Sequence, residues 1–352
     1  MFQGIIGITL FIIAVTFCAS FHSAGTPRNN ILLGVKLRDG VLKGQEIMEI
    51  AKRYKKGNRS IFFVFIVLAL ALFKLQYTSL ILIYMSVWCV AYYYVGSKHY
   101  QYYFEKLLLM KSKNRWFPTD SEYHELTSND NQSDQSKRLL RLYRQLFPDR
   151  REILLKKAAG PIYVDEDEYW INGYYDNPLD KRKSVQKRFG FGTTANMAYK
   201  KNRLISYGAI VFMIVLVGGI AALFVRMDFT TFRMTISDRV ISIDAPVYDY
   251  QFKTEDIIDV SITEVLSEQG WRTNGAATST YYLGNFNFDE YGSSKVFLYF
   301  KHPPYIVIRL KDKTVLFNTK SEEDTTEYYR QLVYLIEGRE EKTKNINKCY
   351  IN

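Results

Sequence analysis

Long apolar runs alternate along this chain with strongly polar stretches, and the runs predict the architecture. Phe2 to Phe21 is about 20 residues without a charge, and Leu204 to Val225 is similar. As a helix, each is long enough to cross ~30 Å of hydrocarbon. The run from Ile61 to Val95 is about 35 residues, which as one straight helix would reach ~52 Å and overshoot a bilayer. Its length predicts two crossings that turn near "KLQYTS", Lys74 to Ser79. That turn leaves Lys74 at the membrane edge, where its ammonium can snorkel; at the centre a charge costs ~2.5–3.5 kcal/mol on insertion scales.

Between the runs the pattern changes repeatedly. From Val41 to Lys56, Leu42, Ile47, Ile50, Ala51 and Tyr54 recur on one helical face, and Lys52, Arg53, Lys55 and Lys56 fill the last turn. A basic last turn suits the helix dipole, and the segment is expected to be a helix lying beside the membrane. After the third crossing the helix is expected to continue past Gly96. The polar stretch Pro118–Ser136 predicts a flexible linker. Lys137–Phe147 is basic and amphipathic, ended by Pro148; it either lies on the bilayer surface or packs on a neighbouring helix.

From Thr231 the period becomes two. "FRMTISDRVISI" reads as a hairpin turning at "SDR", and "DIIDVSITEV", "SKVFLYF", "YIVIRL" and "TVLFN" follow as short strands. "KSEEDTTEYYRQLVYLIEG" is a final helix with Ser321 and Asp324 in capping positions, expected to stop at Gly338. Strands in a meander closed by one helix are the layout of a pleckstrin-homology-like barrel.

Charge supplies the orientation. Residues 22–59 carry 9 Lys or Arg against 3 acids, residues 96–203 carry 21 against 14, and residues 226–352 carry 16 against 19. A hairpin at residues 61–95 puts both basic segments on the cytoplasmic side, as the positive-inside bias requires. The amino terminus and the acidic carboxy-terminal domain are then external. On that arrangement Thr78 and Thr319 should be reachable from outside and Ser128 protected. The first run lacks a basic flank ahead of it and is expected to be a retained helix and not a cleaved signal peptide. The net charge of +11 is matched to anionic lipid headgroups beside the basic segments, with no nucleic acid required.

Candidate chemistry is sparse. Cys18, Cys89 and Cys349 are too few and scattered for a disulfide framework or a metal site, and His22, His99, His124 and His302 form no ligand spacing. "GFGTTANM", Gly190 to Met197, lacks the GK[ST] ending of a phosphate loop. The acid run Asp165–Glu168 offers cation binding or acid–base pairing, but is expected to be a solvated acidic turn near the basic "KRK" cluster. No cofactor and no catalytic set follow from these residues.

The segment before the last helix carries a resemblance. Trp170, Gly173, Tyr174, Tyr175, Asn177, Pro178, Asp180, Val185, Lys187, Arg188, Gly190, Gly192 and Asn196 resemble the pattern of a small domain of unknown function in multi-pass membrane proteins of Gram-positive bacteria. Asp176 stands where an Asn is usual there, and the small residues after Gly192 lack the customary Trp. The stretch "TPRNNILLGVKLRDGVLKGQEIMEIAKRYKK" resembles the segment ahead of the hairpin in the same proteins, so that the resemblance covers roughly residues 26–225. Further on, Arg272, Thr273, Asn274, Gly275, Gly284 and Phe286 resemble a stretch of a bacterial PH-like domain. They are expected to build a loop and the strand after it. Phosphoinositide binding does not follow, because that domain is net acidic and external.

The sequence therefore predicts an α-helical membrane domain of four transmembrane helices plus a soluble α+β PH-like β-barrel with a C-terminal helix. Its segments are a first transmembrane helix at 1–25, a cytoplasmic basic segment at 26–59, a transmembrane hairpin at 60–96 and cytoplasmic helices with a polar linker at 97–160. A small Gly-rich basic domain at 161–203, a fourth transmembrane helix at 204–226, the PH-like domain at 227–340 and a tail at 341–352 complete the chain. Two function classes follow. One is a noncatalytic binding, sensing or scaffold component of the cell envelope, with an unidentified protein or peptide partner. The other is a small transport or toxin-immunity membrane protein, disfavoured because only Lys74 stands near a span where a path would need ionisable groups.

Overall fold

A computed structural model describes residues 2–127, 150–158, 160–266, 270–278 and 280–349. The amphipathic stretch Lys137–Phe147 and residues 128–136 of the polar linker lie outside the described residues. Residues 118–127 are described and are not a free linker: β3 (His124–Glu125) pairs with β4 (Tyr163–Val164), and Leu126 is buried in the core. Among the described residues, four helices are long and apolar enough to cross a bilayer, making this a membrane-embedded protein. They are α1 (Phe2–Ala24), α2 (Gln45–Ala69), α3 (Thr78–Asn114) and α5 (Lys200–Phe229), with the short α4 (Arg150–Lys157) between the last two. The hairpin turns where its length required. A 3-10 turn at Leu70–Lys74 follows α2, and α3 begins at Thr78.

No separate helix precedes the second crossing. Residues 41–43 form a single 3-10 turn, and α2 then runs unbroken from Gln45 into the apolar run. The expected face is buried, at Ile47, Ile50, Ala51 and Tyr54, but the helix does not stop at its basic turn. Gly57 and Asn58 are held inside it by tertiary contacts. The His99 ring lies where a Cβ on Gly57 would sit, and the buried Asn58 amide donates to the Cys18 carbonyl at 3.0 Å. Contacts between helices thus override the breaking tendency of a Gly-Asn pair.

The chain divides into two compact units. The first comprises Gln3–Leu72 and Tyr84–Val217. Its core joins Leu32, Val35 and Leu37 of a small hairpin (β1, Ile31–Leu32; β2, Val35–Lys36) to α2, to Phe104, Leu107 and Leu108 of α3, and to Leu154 of α4. The polar loops of this unit therefore have a packed interior of their own. The second unit comprises Met1–Phe2, Phe73–Ile83 and Gly218–Asn352. Within it the hairpin turn is fixed to the end of α5: the buried Asp228 carboxylate accepts the Ser79 amide at 2.7 Å, and Tyr77 packs on Phe229 at 4.9 Å. Asp228 thereby satisfies one of the orphan amides at the start of α3.

The rest of the second unit is mostly sheet. Strands β7 (Arg233–Ile236), β8 (Val240–Asp244) and β9 (Tyr250–Lys253) form an antiparallel three-stranded sheet, with the turn at Ser237–Arg239 as expected. Six further strands are β10 (Ile257–Thr263), β11 (Gly270–Ala277), β12 (Tyr281–Phe288), β13 (Gly292–Tyr299), β14 (Tyr305–Leu310) and β15 (Thr314–Phe317). They lie in the order β10-β14-β15-β13-β12-β11. This is not a meander. The β14–β15 hairpin inserts so that β15 runs parallel to β13 while β14 pairs with β10. Both β10 and β11 are edges, and no closed barrel forms among the described residues.

Ile241, Ile243, Phe252, Leu283, Phe297, Ile308, Phe317 and Leu332 fill the core beneath α6 (Glu322–Cys349). The Ser321 hydroxyl caps α6 by accepting the Asp324 amide at 3.1 Å. The helix runs past Gly338 and does not stop there. A lone glycine costs only ~1 kcal/mol in a helix, too little to end one that continues into a polar, charged sequence.

Gly275 and Gly284 face each other across β11 and β12. A Cβ on Gly284 would lie 2.5 Å from the Asn274 carbonyl oxygen and 2.6 Å from the Gly275 Cα, and one on Gly275 would strike the Leu283 carbonyl. Both have positive φ, 143° and 119°. Gly284→Val should therefore destabilise the sheet unit by about 1–3 kcal/mol. Thermal unfolding followed by circular dichroism checks this; an unchanged midpoint would refute the close-approach account.

Candidate functional site

The Gly-rich basic segment folds around one side chain. Asn196 is fully buried. Its carbonyl oxygen accepts the Asn177 amide at 3.1 Å and the Ala198 amide at 3.2 Å, and its Nδ2 donates to the Asn177 carbonyl at 2.8 Å and to the Arg182 carbonyl at 3.3 Å. A turn with little backbone pairing of its own needs such a side chain to satisfy its amides and carbonyls. Asn177 in turn accepts the Leu179 amide at 2.8 Å, and the buried Tyr175 donates to Asp180 at 2.8 Å. Past that turn a short ladder, β5 (Ser184–Gln186) with β6 (Thr193–Ala195), closes a loop in which Gly190 and Gly192 have φ of 71° and 85°. Those are left-handed values that glycine adopts without strain.

The loop is pinned to the helices. Gly190 N donates to the Ser23 hydroxyl near the end of α1 at 2.9 Å. Phe189 packs on Tyr100 of α3 at 4.3 Å and on Phe21 of α1 at 6.3 Å.

The acid run is not a solvated turn. Asp165 and Asp167 are buried at the start of a 3-10 turn, and Lys111, also fully buried near the end of α3, donates to both carboxylates at 2.6 Å. Arg188 pairs with the second Asp167 oxygen and donates to the Gly34 carbonyl at 2.6 Å. Asp167 also accepts the Lys36 amide at 3.2 Å. Glu166 faces outward and pairs with Lys36 at 3.2 Å, while Glu168 meets Arg151 at 3.5 Å. A buried carboxylate pair is tolerated because two cations neutralise it and hydrogen bonds fill its lone pairs.

The two aspartates differ. Burial alone would push Asp167 up, but Arg188, then Lys111, and their hydrogen bonds hold it below the ordinary aspartate range. Burial and the neighbouring Asp167 raise Asp165, against the pull of Lys111. The stability from Asp167 is thus present above its unfolded-state value near 4 and is lost as pH falls through its lower folded value. Asp165 has the opposite sign: its contribution is present at acid pH and is lost as pH rises through its raised folded value. At neutral pH Asp167→Asn should cost more stability than Asp165→Asn, and the gap should narrow toward about pH 3. Unfolding midpoints of both variants across pH check this, and equal losses at pH 7 would contradict the assignment.

Beside this network opens a cleft of about 210 Å³ in the first unit, bounded by Arg28, Arg182, Lys187 and Arg188 with Trp170 and Tyr175. The Arg188 guanidinium lies 5.1 Å from the Trp170 ring centre, a cation–π contact. Arg28 and Lys187 are exposed and have no carboxylate partner among the described residues.

The expected motif is thus brought together in part. Tyr175, Asn177, Asp180 and Asn196 build the turn, Gly190 and Gly192 the loop, Arg188 the ion network and Lys187 the rim of the cleft, while Tyr174 is exposed. Lys111, the centre of the network, was not singled out from the sequence. The available signal is its spacing: it follows Phe104, Leu107 and Leu108 at seven, four and three residues, on the buried face of α3.

The second expected group lies elsewhere, in the sheet unit. Arg272, Thr273, Asn274 and Gly275 are in edge strand β11 and not in a loop, while Gly284 and the buried Phe286 are opposite them in β12. A β-bulge between Arg272 and Asn274 marks the strand. No group of three or more His, Cys, Asp or Glu able to hold a metal is found among the described residues. Comparison with family models, with curated proteins and with solved structures finds no match.

Proposed function

We propose that this chain is a noncatalytic membrane-embedded binding or sensing component of the cell envelope. Its sheet unit, read as PH-like and extracytoplasmic, engages a protein, peptide or envelope component, and its Gly-rich basic segment anchors or transmits that event at the inner membrane surface. The observation that carries the reading is the pinning of residues 170–196 to three helices at once. Arg188, Phe189 and Gly190 contact the β1–β2 hairpin, α3 and the end of α1, and the turn held by Asn196 leads directly into α5. A displacement of any of these helix ends is thereby a displacement of the loop.

Two further features support anchoring. Phe191 and Leu179, 87% and 81% exposed, stand on loops whose neighbours are Lys181, Arg182, Lys183 and Lys187. Apolar tips flanked by cations suit an anionic bilayer surface. The buried ions, moreover, are used up in pairing with one another, which fits a rigid support better than a reactive centre.

The test is affinity capture of the full chain in native detergent beside a form lacking residues 230–340. A partner held by the full chain and lost on deletion supports the reading. Toxin protection or solute flux retained by residues 1–228 would overturn it in favour of a transport or immunity protein.

A further inference from the structure

A second groove in the first unit is independent of the Gly-rich segment. It has a volume of about 500 Å³ and is lined by Met48, Lys52, Lys55 and Arg59 of α2, with Gly25 and Pro27 of the loop after α1 as its other wall. The loop approaches α2 closely: a Cβ on Gly25 would lie 2.8 Å from the Tyr54 ring and 3.0 Å from the Lys55 Cγ.

Residues 48, 52, 55 and 59 fall on one stripe of an α-helix, within about 60° of one another at 100° per residue. Three of the four are cations. Lys52, Lys55 and Arg59 have no carboxylate partner among the described residues, and the one acid beside them, Glu49, is occupied by Arg53 at 3.0 Å. Three cations this close repel one another, so the arrangement calls for a counter-anion.

The same stripe says what kind of anion. It continues up the helix into Phe63 and Leu70, which lie within about 80° of the same residues at 100° per residue and are 64% and 59% exposed. From Arg59 to Leu70 the helix rises ~16 Å, about the depth of one hydrocarbon leaflet. Cations at the mouth followed by an apolar strip one leaflet deep match a molecule with a phosphate at one end and acyl chains at the other.

We propose that this groove is a binding site for an anionic glycerophospholipid, with Lys52, Lys55 and Arg59 on the phosphate and headgroup and Phe63 and Leu70 along an acyl chain. The site rests on the membrane reading of the helices and not on any ligand of the sheet unit or the Gly-rich segment. A failed partner capture therefore leaves it standing, and its own failure leaves the capture result unaffected.

The test uses the full chain in a neutral detergent. Thermal unfolding is followed while dioctanoyl phosphatidylglycerol, dioctanoyl phosphatidylcholine or inorganic phosphate is titrated in. Phosphatidylglycerol should raise the midpoint saturably, and phosphatidylcholine and inorganic phosphate should not. The double variant Lys55→Gln/Arg59→Gln should weaken the phosphatidylglycerol effect about tenfold or more, because each cation near an anionic headgroup contributes ~1 kcal/mol. Lys253→Gln/Lys301→Gln, exposed in the sheet unit and outside the groove lining, should leave it unchanged.

Folding of the groove variant is checked by its midpoint without lipid, and Phe63→Ala supplies a second reading by weakening the lipid effect with all three cations intact. Three results overturn the proposal: a response to inorganic phosphate as strong as that to lipid, which would make the site one for free anions; an equal response to phosphatidylcholine; or a response unchanged in both the groove variant and Phe63→Ala.

Discussion

Lys111→Met should lower the stability of the helical unit by about 3–5 kcal/mol, the largest effect expected of any single substitution here. Methionine fits the volume of the lysine stem and suits its apolar neighbours, so packing is nearly conserved. What is lost is the ammonium between two carboxylates with no solvent access. Asp167 keeps Arg188, but Asp165 is left buried with only the Asp167 amide as donor, at 3.2 Å. Removing one partner of a buried pair strands the other, a far greater cost than replacing the pair whole. The control follows from that asymmetry: Lys111→Met/Asp165→Asn should recover a large part of the loss. Chaotrope unfolding of the full chain in detergent, followed by tryptophan fluorescence, reads both variants. A single variant as stable as the parent, or a double variant no better than the single, would contradict a buried ionic lock.

Asn196→Ala should cost about 3 kcal/mol and loosen the segment rather than unfold the unit. The amide group it removes holds two backbone amides and at least two carbonyls at once, at 2.8–3.3 Å. Each group left unpaired in a buried place costs ~1–3 kcal/mol, less where water can enter the turn. Asn196→Asp is the sharper comparison. It keeps both acceptor contacts, loses the donors and sets a carboxylate oxygen against the Asn177 and Arg182 carbonyls, so it should be no better than alanine. Hydrogen exchange of the amides of residues 177–198 should rise in both variants while the protection of α2 is kept. Unchanged exchange in that turn would show that the loop holds its shape without Asn196.

How far these features were legible in the sequence depends on how local their causes are. The four spans follow from run length alone, and the hairpin turn from the impossibility of fitting about 35 residues into one crossing. Turn chemistry was also local: the left-handed glycines at 173, 190 and 192 and the Ser321 cap stand where residue type places them. The errors share one origin in long-range contacts. The helix expected to stop near Lys56 runs on because His99 and Cys18, far along the chain, hold Gly57 and Asn58 in place. The two aspartates of the acid run, expected in solvent, are buried because Lys111, more than fifty residues earlier, meets them.

The sheet shows the same limit. Strand pattern located β7, β8, β10 and β13 to β15, but pairing order is not written in alternation. The insertion of β15 between β14 and β13 makes a parallel pair and an open sheet in place of the expected meander. For the candidate site, the motif residues of the Gly-rich segment do gather, but around Asn196 and Arg188 as supports. Residues 272–275, expected in a loop, lie in β11, where Gly275 serves close strand approach opposite Gly284.

We propose that the chain crosses the membrane four times, with the hairpin turn and the sheet unit on the outer side and both basic segments inside. The hairpin turn and the residues after 218 do fall in one compact unit, and the basic segments in the other. Thr78 and Thr319, exposed on the sequence reading, are buried at 3% and 9% exposure, and Ser128 lies outside the described residues. The reporters are therefore single cysteines at the exposed positions Gln76, Leu179 and Glu290, in a background with Cys18, Cys89 and Cys349 replaced. In intact cells a membrane-impermeant maleimide should label positions 76 and 290, and position 179 only after permeabilisation. Labelling of 179 alone would invert the protein, and labelling of 76 and 290 from opposite sides would break the hairpin and the account with it.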